Sequence, residues 1–265
     1  MINTDFHMHC NFSDDSSASM EDMVNEAVKR GFTQIAFTDH IDFYPLGLLC
    51  ANGYGKYLEE FGRVKAKYAG RIALVLGVEV GLDPKFADDI NAYIARYPFE
   101  FIIGSSHTTE MKDHYNEEFF LGIDKKTAHT LYFQEVLENI KTFDCFDCYG
   151  HMDYISRYGP YQDKSLNYHE YQEIIDEILS GLITRGKGIE VNTSGFRYGN
   201  NAPYPSLEVL KAYKRLGGEI VTVGSDAHSP VHLGWRFDYA RDMLLEAGFE
   251  YYTVFNNRKP EFIRI

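Results

Sequence analysis

Short apolar runs recur along the chain, and each gives way after a turn to a longer segment with helical spacing. The runs predict strands at Ile2–His7, Gln34–Thr38, Ile72–Val78, Glu100–Gly104, Phe146–Gly150, Gly188–Asn192 and Glu219–Gly224. Several are apolar throughout rather than alternating, as parallel strands covered on both faces are. Tyr251–Phe255 predicts a further edge strand. Among the helical segments, Ser19 with Asp22 forms a capping-box signature before Met23, Val24, Ala27 and Val28, and Gly31 stops that helix. Ser206 opens another, in which Leu207, Leu210, Tyr213 and Leu216 share one face. Tyr171, Ile174, Ile175, Ile178, Leu179 and Leu182 mark a third apolar stripe. Strand–helix alternation implies a parallel sheet with right-handed crossovers. The predicted fold is therefore α/β: a distorted (β/α)7, TIM-like barrel formed as a single domain over residues 1–265. Insertions at 43–54, 110–126 and 154–167 follow the second, fourth and fifth strands, on the face where substrate loops belong.

The length of 265 residues suits one such barrel. A formal charge of −13 argues against a long nucleic-acid partner, whose affinity rests on neutralised phosphates, but leaves small phosphorylated substrates open. No apolar run has the roughly 20 residues needed to span a membrane. Strand-like sequence begins almost at the first residue, leaving no room for a signal peptide, so a cytoplasmic protein is expected. Cys145 and Cys148 have the spacing of a redox motif but run into a strand, and all four cysteines are expected to be thiols. None of these features encodes an oligomeric state.

The chemistry lies at the strand ends. Asp5-Phe6-His7-Met8-His9, Thr38-Asp39-His40, Gly77-Val78-Glu79, Ser105-Ser106-His107, Gly150-His151 and Ser225-Asp226-Ala227-His228 each follow an apolar run. In a parallel barrel every such end points to one face. Six of the ten histidines occupy these turns, whereas His114, His129, His169 and His232 follow no strand and read as surface or supporting residues. His7 and His9, two residues apart, can serve one cation together, and Asp15 lies in the adjoining loop. A polynuclear metal site follows. Mixed imidazole and carboxylate donors suit Zn, Mn or Fe. Asp5, Asp39 and Asp153 flank the donors and could accept imidazole protons.

This ordered set of motifs resembles the polymerase and histidinol phosphatase (PHP) superfamily across essentially the whole chain, with every motif position filled. The resemblance implies a distorted seven-stranded barrel and three divalent ions. It would place the first ion on His7, His9, Glu79 and Asp226, the second on Glu79, His107 and His151, and the third on Asp15, His40 and His228. Arg157 and Arg197, in Asn-Thr-Ser-Gly-x-Arg and beyond Gly-His-x-Asp, resemble the histidinol-phosphate phosphatase branch specifically. Their guanidinium groups match phosphate in a bidentate manner.

Two neighbouring metals share a water and lower its pKa, so a phosphoester is the natural substrate. A bridging hydroxide attacking phosphorus, with Asp226 handling its proton and Glu79 and His228 in the cluster, describes the expected hydrolysis of L-histidinol phosphate. Asp42, Glu110, Phe119, Phe120 and Tyr158 are candidates for holding the cationic amine and imidazole ring of that substrate. Competing readings are a nucleotide or oligonucleotide phosphoesterase or a protein-tyrosine phosphatase on the same cluster, an amidohydrolase, and a non-catalytic metal-binding module. The charge balance and the two arginines disfavour the nuclease. No lysine follows a strand end to bridge metals as in amidohydrolases. Retention of all nine ligands disfavours a decayed module.

Overall fold

Seven parallel strands carry the chain around a barrel: β1 (Thr4–Asp5), β2 (Gln34–Phe37), β3 (Ala73–Gly81), β4 (Phe101–Ser105), β5 (Cys148–Tyr149), β6 (Gly188–Asn192) and β7 (Val221–Gly224), each pairing with the next. The computed structural model describes residues 1–44, 47–49, 53–115, 117–199 and 201–265. The seam between β7 and β1 is closed by Phe6 N donating to Val223 O (3.1 Å) and Asp226 N donating to His7 O (2.8 Å), with a parallel bridge between Met8 and Ala227. Among the described residues seven α-helices connect the strands or follow them: α1 (Met20–Lys29), α2 (Tyr54–Lys67), α3 (Ala87–Arg96), α4 (Lys125–Thr142), α5 (Gln172–Thr184), α6 (Leu207–Arg215) and α7 (Phe237–Glu246).

Local signals act as the sequence suggests at α1. Ser19 Oγ accepts from Asp22 N (3.0 Å) and donates to the Asp22 carboxylate (2.6 Å), while Met23, Val24 and Ala27 are fully buried. Ile175, Ile178, Leu179 and Leu182 of α5 are likewise buried, each worth on the order of 2 kcal/mol of transfer free energy. Ser206 stands at the start of α6 but its hydroxyl makes no capping bond. Its backbone N–H instead donates to Asp153 Oδ2 (3.0 Å), tying the helix to the loop after β5.

Several strand limits differ from expectation. Only Thr4–Asp5 of the first run is paired as a strand; past Asp5 the backbone bonds to the β7 side through Phe6, His7 and a single Met8–Ala227 bridge, while Met8 N–H donates to the Thr38 hydroxyl. The third strand runs on to Gly81, so Glu79 sits within it rather than past its end. There His40–Tyr44 joins it in parallel, setting His40 opposite Glu79. Tyr251–Asn256 is not an edge of the barrel. It pairs antiparallel with Lys259–Arg264 in a separate two-stranded sheet, a partner hidden by its mixed, largely exposed sequence. Cys10, Cys145 and Cys148 are free thiols, and Cys50 lies outside the described residues. Among the described residues no helix is long and apolar enough to cross a membrane.

Candidate metal centre

Strand ends from all around the barrel deliver one cluster at the C-terminal face. Its centre is Glu79, inward-facing on β3 and fully buried. Glu79 Oε1 lies 3.2 Å from His107 Nε2 and 2.8 Å from His151 Nε2. Glu79 Oε2 lies 2.9 Å from His40 Nδ1, 3.2 Å from His7 Nε2 and 3.5 Å from His9 Nε2. Asp226 Oδ1 closes the same group at 3.4 Å from His9 Nε2, and 3.8 Å from His7 Nε2. On the outer side, Asp15 Oδ2 approaches His228 Nε2 (2.9 Å) and His40 Nε2 (3.7 Å). All nine residues singled out as metal donors thus lie in one connected cluster.

The donor geometry fits cations rather than a hydrogen-bonded core. Glu79 Oε2 is buried among three imidazole nitrogens, yet it makes no hydrogen bond. His7 Nε2 and His9 Nε2 face one another at 3.1 Å, while the other nitrogen of each ring has its own partner. Buried polar atoms left in this way cost free energy unless something positive lies between them. Groups of three donor atoms gather at His7, His9 and Asp226, at His7, Glu79 and His151, and at His9, His40 and His228. A fourth, at His40, Asp42 and His107, adds a carboxylate outside the expected set. Burial, then the neighbouring imidazoles of His228 and His40, pushes His9 down to about 3, whereas against the effect of burial the surrounding carboxylates raise His7 and His40, so the pocket draws positive charge. Burial alone would raise Glu79, but His7, His40 and His107 hold it well below the carboxylate range. An acceptor-rich pocket of imidazole and carboxylate suits divalent transition metals.

The surrounding bonds differ from expectation in an instructive way. Asp5 accepts no imidazole proton. Its carboxylate is spent on Ser225 Oγ (2.5 Å) and the backbone N–H groups of Ser225 (3.0 Å), Gly234 (2.9 Å) and His7 (3.3 Å), which hold the loop after β7. Asp39 acts one step removed: Ser13 Oγ donates to it (2.8 Å) and itself meets His9 Nδ1 (3.0 Å). Asp153 bonds the Ser206 backbone instead of a ring. The carboxylates that do meet imidazole are Glu190, 2.7 Å from His7 Nδ1, and Asp42, 2.8 Å from His107 Nδ1. Glu190 escaped the sequence reading because one acid inside an apolar strand resembles a tolerated exception. Its spacing of two from Asn192, which sets both on the barrel interior, is the signal that could have found it.

Above the cluster opens a cleft of about 460 Å³, lined by Asp15, His40, Glu79, His107, His151, Asp226 and His228 at its floor and by Arg157, Tyr154, Tyr158 and Tyr198 on one wall. Arg157 ends a 3₁₀ turn after β5, and its Cζ lies 3.1 Å from the centre of the Tyr198 ring. Arg197 ends a similar turn after β6, but its terminal nitrogens donate to Ser225 O (2.9 Å) and Asp226 O (2.7 Å) rather than lining the cleft. Asp226 has a left-handed backbone (φ 53°), a conformation Asp tolerates better than most residues.

Of the residues expected to hold an organic substrate, Tyr158 and Asp42 line the cleft. Phe119 and Phe120 do not: both are 2% exposed, packed with His114 because two adjacent rings on a 3₁₀ turn bury more area inward than across a polar cleft. Glu110 is exposed at the tip of the Thr108–Asp113 hairpin, away from the cleft. That hairpin contributes Asp113 and the following Tyr115 to the lining instead. His114 and His129 are not surface residues. His114 bonds Thr109 Oγ1 (2.9 Å), and burial pushes His129 down to about 4, keeping it neutral beside Tyr171.

Comparison with known proteins agrees with this arrangement. Residues 5–194 match the PHP domain family. The histidinol-phosphatase of Lactococcus lactis subsp. lactis (strain IL1403) is 34% identical over 98% of this chain and 96% of its own length. A Clostridium acetobutylicum protein named a probable histidinol-phosphatase is 31% identical over 90% of this chain and 91% of its own. A crystal structure of the Lactococcus lactis histidinol phosphate phosphatase, complexed with zinc, L-histidinol and phosphate, superposes with a TM-score of 0.91 at 32% identity, covering 98% of both chains. With a family match over most of its length and relatives aligned nearly end to end, the chain belongs to the PHP domain family, within its histidinol-phosphatase group.

Proposed function

We propose that the protein is a metal-dependent phosphomonoesterase that hydrolyses L-histidinol phosphate to L-histidinol and phosphate, with residues 1–265 acting as one catalytic domain. The observation that carries this reading is Arg157 standing in the same cleft as Glu79, His107, His151 and Asp226, an anion-binding group beside a floor of metal donors. The zinc, L-histidinol and phosphate bound by the Lactococcus lactis relative support the same substrate and metal class here.

Three divalent ions, Zn, Mn or Fe, would be held by His7, His9, Glu79 and Asp226, by Glu79, His107 and His151, and by Asp15, His40 and His228. Bound there, such ions supply a water acidic enough to attack phosphorus at neutral pH and a positive clamp for phosphoryl oxygens. The chain's own groups do the rest. Arg157 donates N–H groups to the phosphoryl oxygens, steadied by the Tyr198 face beneath it. Asp226 Oδ1 points into the cluster and is placed to take the proton released in the attack. Arg197 holds the backbone of Ser225 and Asp226, so it fixes that carboxylate rather than the phosphate.

The amine of the substrate needs a carboxylate, and Asp42 already faces His107. Asp113 and Asp14 remain on the lining for that contact, with Tyr115, Tyr154 and Tyr158 as walls for the imidazole ring. A multiply charged phosphomonoester does not cross a lipid bilayer, so a cytoplasmic enzyme sharing its compartment with the substrate goes with this reading. Phosphate release should be measured on histidinol phosphate, a nucleotide panel and a phosphotyrosine peptide, with metal content determined on the same preparation. We expect kcat/KM for histidinol phosphate to exceed the others by at least about tenfold. A flat profile, or a better nucleotide or peptide substrate, would replace this reading.

A further inference from the structure

The His7 ring is held from behind by a carboxylate that contributes no donor atom to any of the metal groups described above. Glu190 on β6 is 1% exposed, and its Oε1 lies 2.7 Å from His7 Nδ1. Its other oxygen accepts the His151 backbone N–H (3.0 Å) and the Asn192 side-chain amide (3.0 Å). The carboxylate therefore spans donors assigned to two different ions. It also crosses the barrel seam, because His7 follows β1 while Glu190 is on β6, with β7 between them.

The fold makes room for this contact at one position. A Cβ on Gly224 would stand 2.2 Å from Glu190 Oε1 and 2.4 Å from His7 Cβ, so any side chain there would displace the pair. The companion ring is treated differently. His9 Nδ1 meets the neutral hydroxyl of Ser13, and only that hydroxyl reaches Asp39. One imidazole of the pair thus carries a full negative charge behind it, and the other a relayed one.

We propose that Glu190 is a positioning residue for the metal cluster. It fixes His7 as the tautomer protonated at Nδ1, turning a bare Nε2 lone pair toward Glu79 and Asp226 and raising its strength as a donor. On the three-ion reading the ions bring six positive charges, against three from Asp15, Glu79 and Asp226. Glu190 supplies a further negative charge without occupying a coordination position. The proposal rests on His7 being a metal donor, so the metal count of the unaltered protein tests that premise separately.

The test uses metal-loaded full-length protein and competitive chelator titration with zinc or manganese. Glu190→Gln should weaken one ion by about 10–100-fold, leave the other two near their original affinity, and lower kcat more than it raises KM. Glu190→Asp should recover part of the loss. In a double-mutant cycle, His7→Ala with Glu190→Gln should lose no more affinity than His7→Ala alone. Additive losses, or Glu190→Gln with unaltered metal affinity, would overturn the proposal. Ring 15N–1H correlation spectra of the unaltered loaded protein give an independent readout should a variant fail to fold. We expect His7 to carry its proton on Nδ1; a proton on Nε2 would also overturn it.

Discussion

At the scale of single residues, the cleft divides its labour between side chains that look alike in the sequence. Arg157 and Arg197 end similar 3₁₀ turns after adjacent strands, yet one faces the cleft and the other grips backbone carbonyls. Their substitutions should therefore fail differently. Arg157→Ala is expected to lower kcat for phosphate release about 10²-fold, the usual cost of one lost charge-stabilising donor, with metal content unchanged. Lysine at 157 should restore only part, since it cannot offer a planar fork. Steady-state kinetics with metal analysis checks both. The convergence of the nine imidazole and carboxylate residues was legible because such groups at strand ends are rare by chance and share one face by geometry. Glu190 and the Asp42 contact were not, because one polar residue in a strand or loop carries no periodic signal. Phe119, Phe120 and Glu110 lie on cleft-side loops by position in the sequence, but loop course depends on packing that no local pattern encodes.

At the scale of elements, strand existence was readable and strand extent was not. Gly188–Asn192 begins and ends where its apolar run does, whereas the first run is cut to Thr4–Asp5, past which Met8 N–H bonds the Thr38 hydroxyl instead of a backbone carbonyl. The C-terminal hairpin was half visible, through Tyr251–Phe255, since Lys259–Arg264 lacks a buried face to announce it. That hairpin has a defined job at the opposite end of the barrel. In its turn, Arg258 donates its backbone N–H to Glu100 O (2.8 Å) and a guanidinium N–H to Cys145 O (2.7 Å), and pairs with Asp147 Oδ2 at 2.5 Å. Asp147 Oδ2 also accepts Ile102 N–H (2.8 Å), so one residue of the turn ties together the lead-ins to β4 and β5. Arg258→Ala should cost about 2 kcal/mol, the worth of hydrogen bonds to a charged group. Urea denaturation should show the loss, while kcat for phosphate release stays unchanged. A loss of activity at full stability would contradict this division of roles.

At the scale of the molecule, the barrel supplies a face on which bound metals would add to its cohesion. Six of the seven strands aim nine candidate donors at one place, and those donors repel or strand one another without cations between them. Ligand linkage then predicts a large effect of metal on stability. At free metal of 100 times the dissociation constant, each ion adds about 2.7 kcal/mol. Chelation should lower Tm by several degrees and restoration of zinc or manganese should reverse it, as followed by thermal unfolding over a series of buffered metal concentrations. A Tm indifferent to metal would mean that the cluster is held rigid by the barrel alone.

The donors begin at His7 and end at His228, so no contiguous half of the polypeptide owns a complete set. During synthesis the first pair, His7 and His9, must wait until almost the last strand has left the ribosome before Asp226 can join them. Filling of the two sets that include Asp226 or His228 is thus a late event, open only to a chain that has already closed its ring, and a fragment released early would offer at most Glu79, His107 and His151 together. A full complement of metal becomes in effect a certificate of finished assembly.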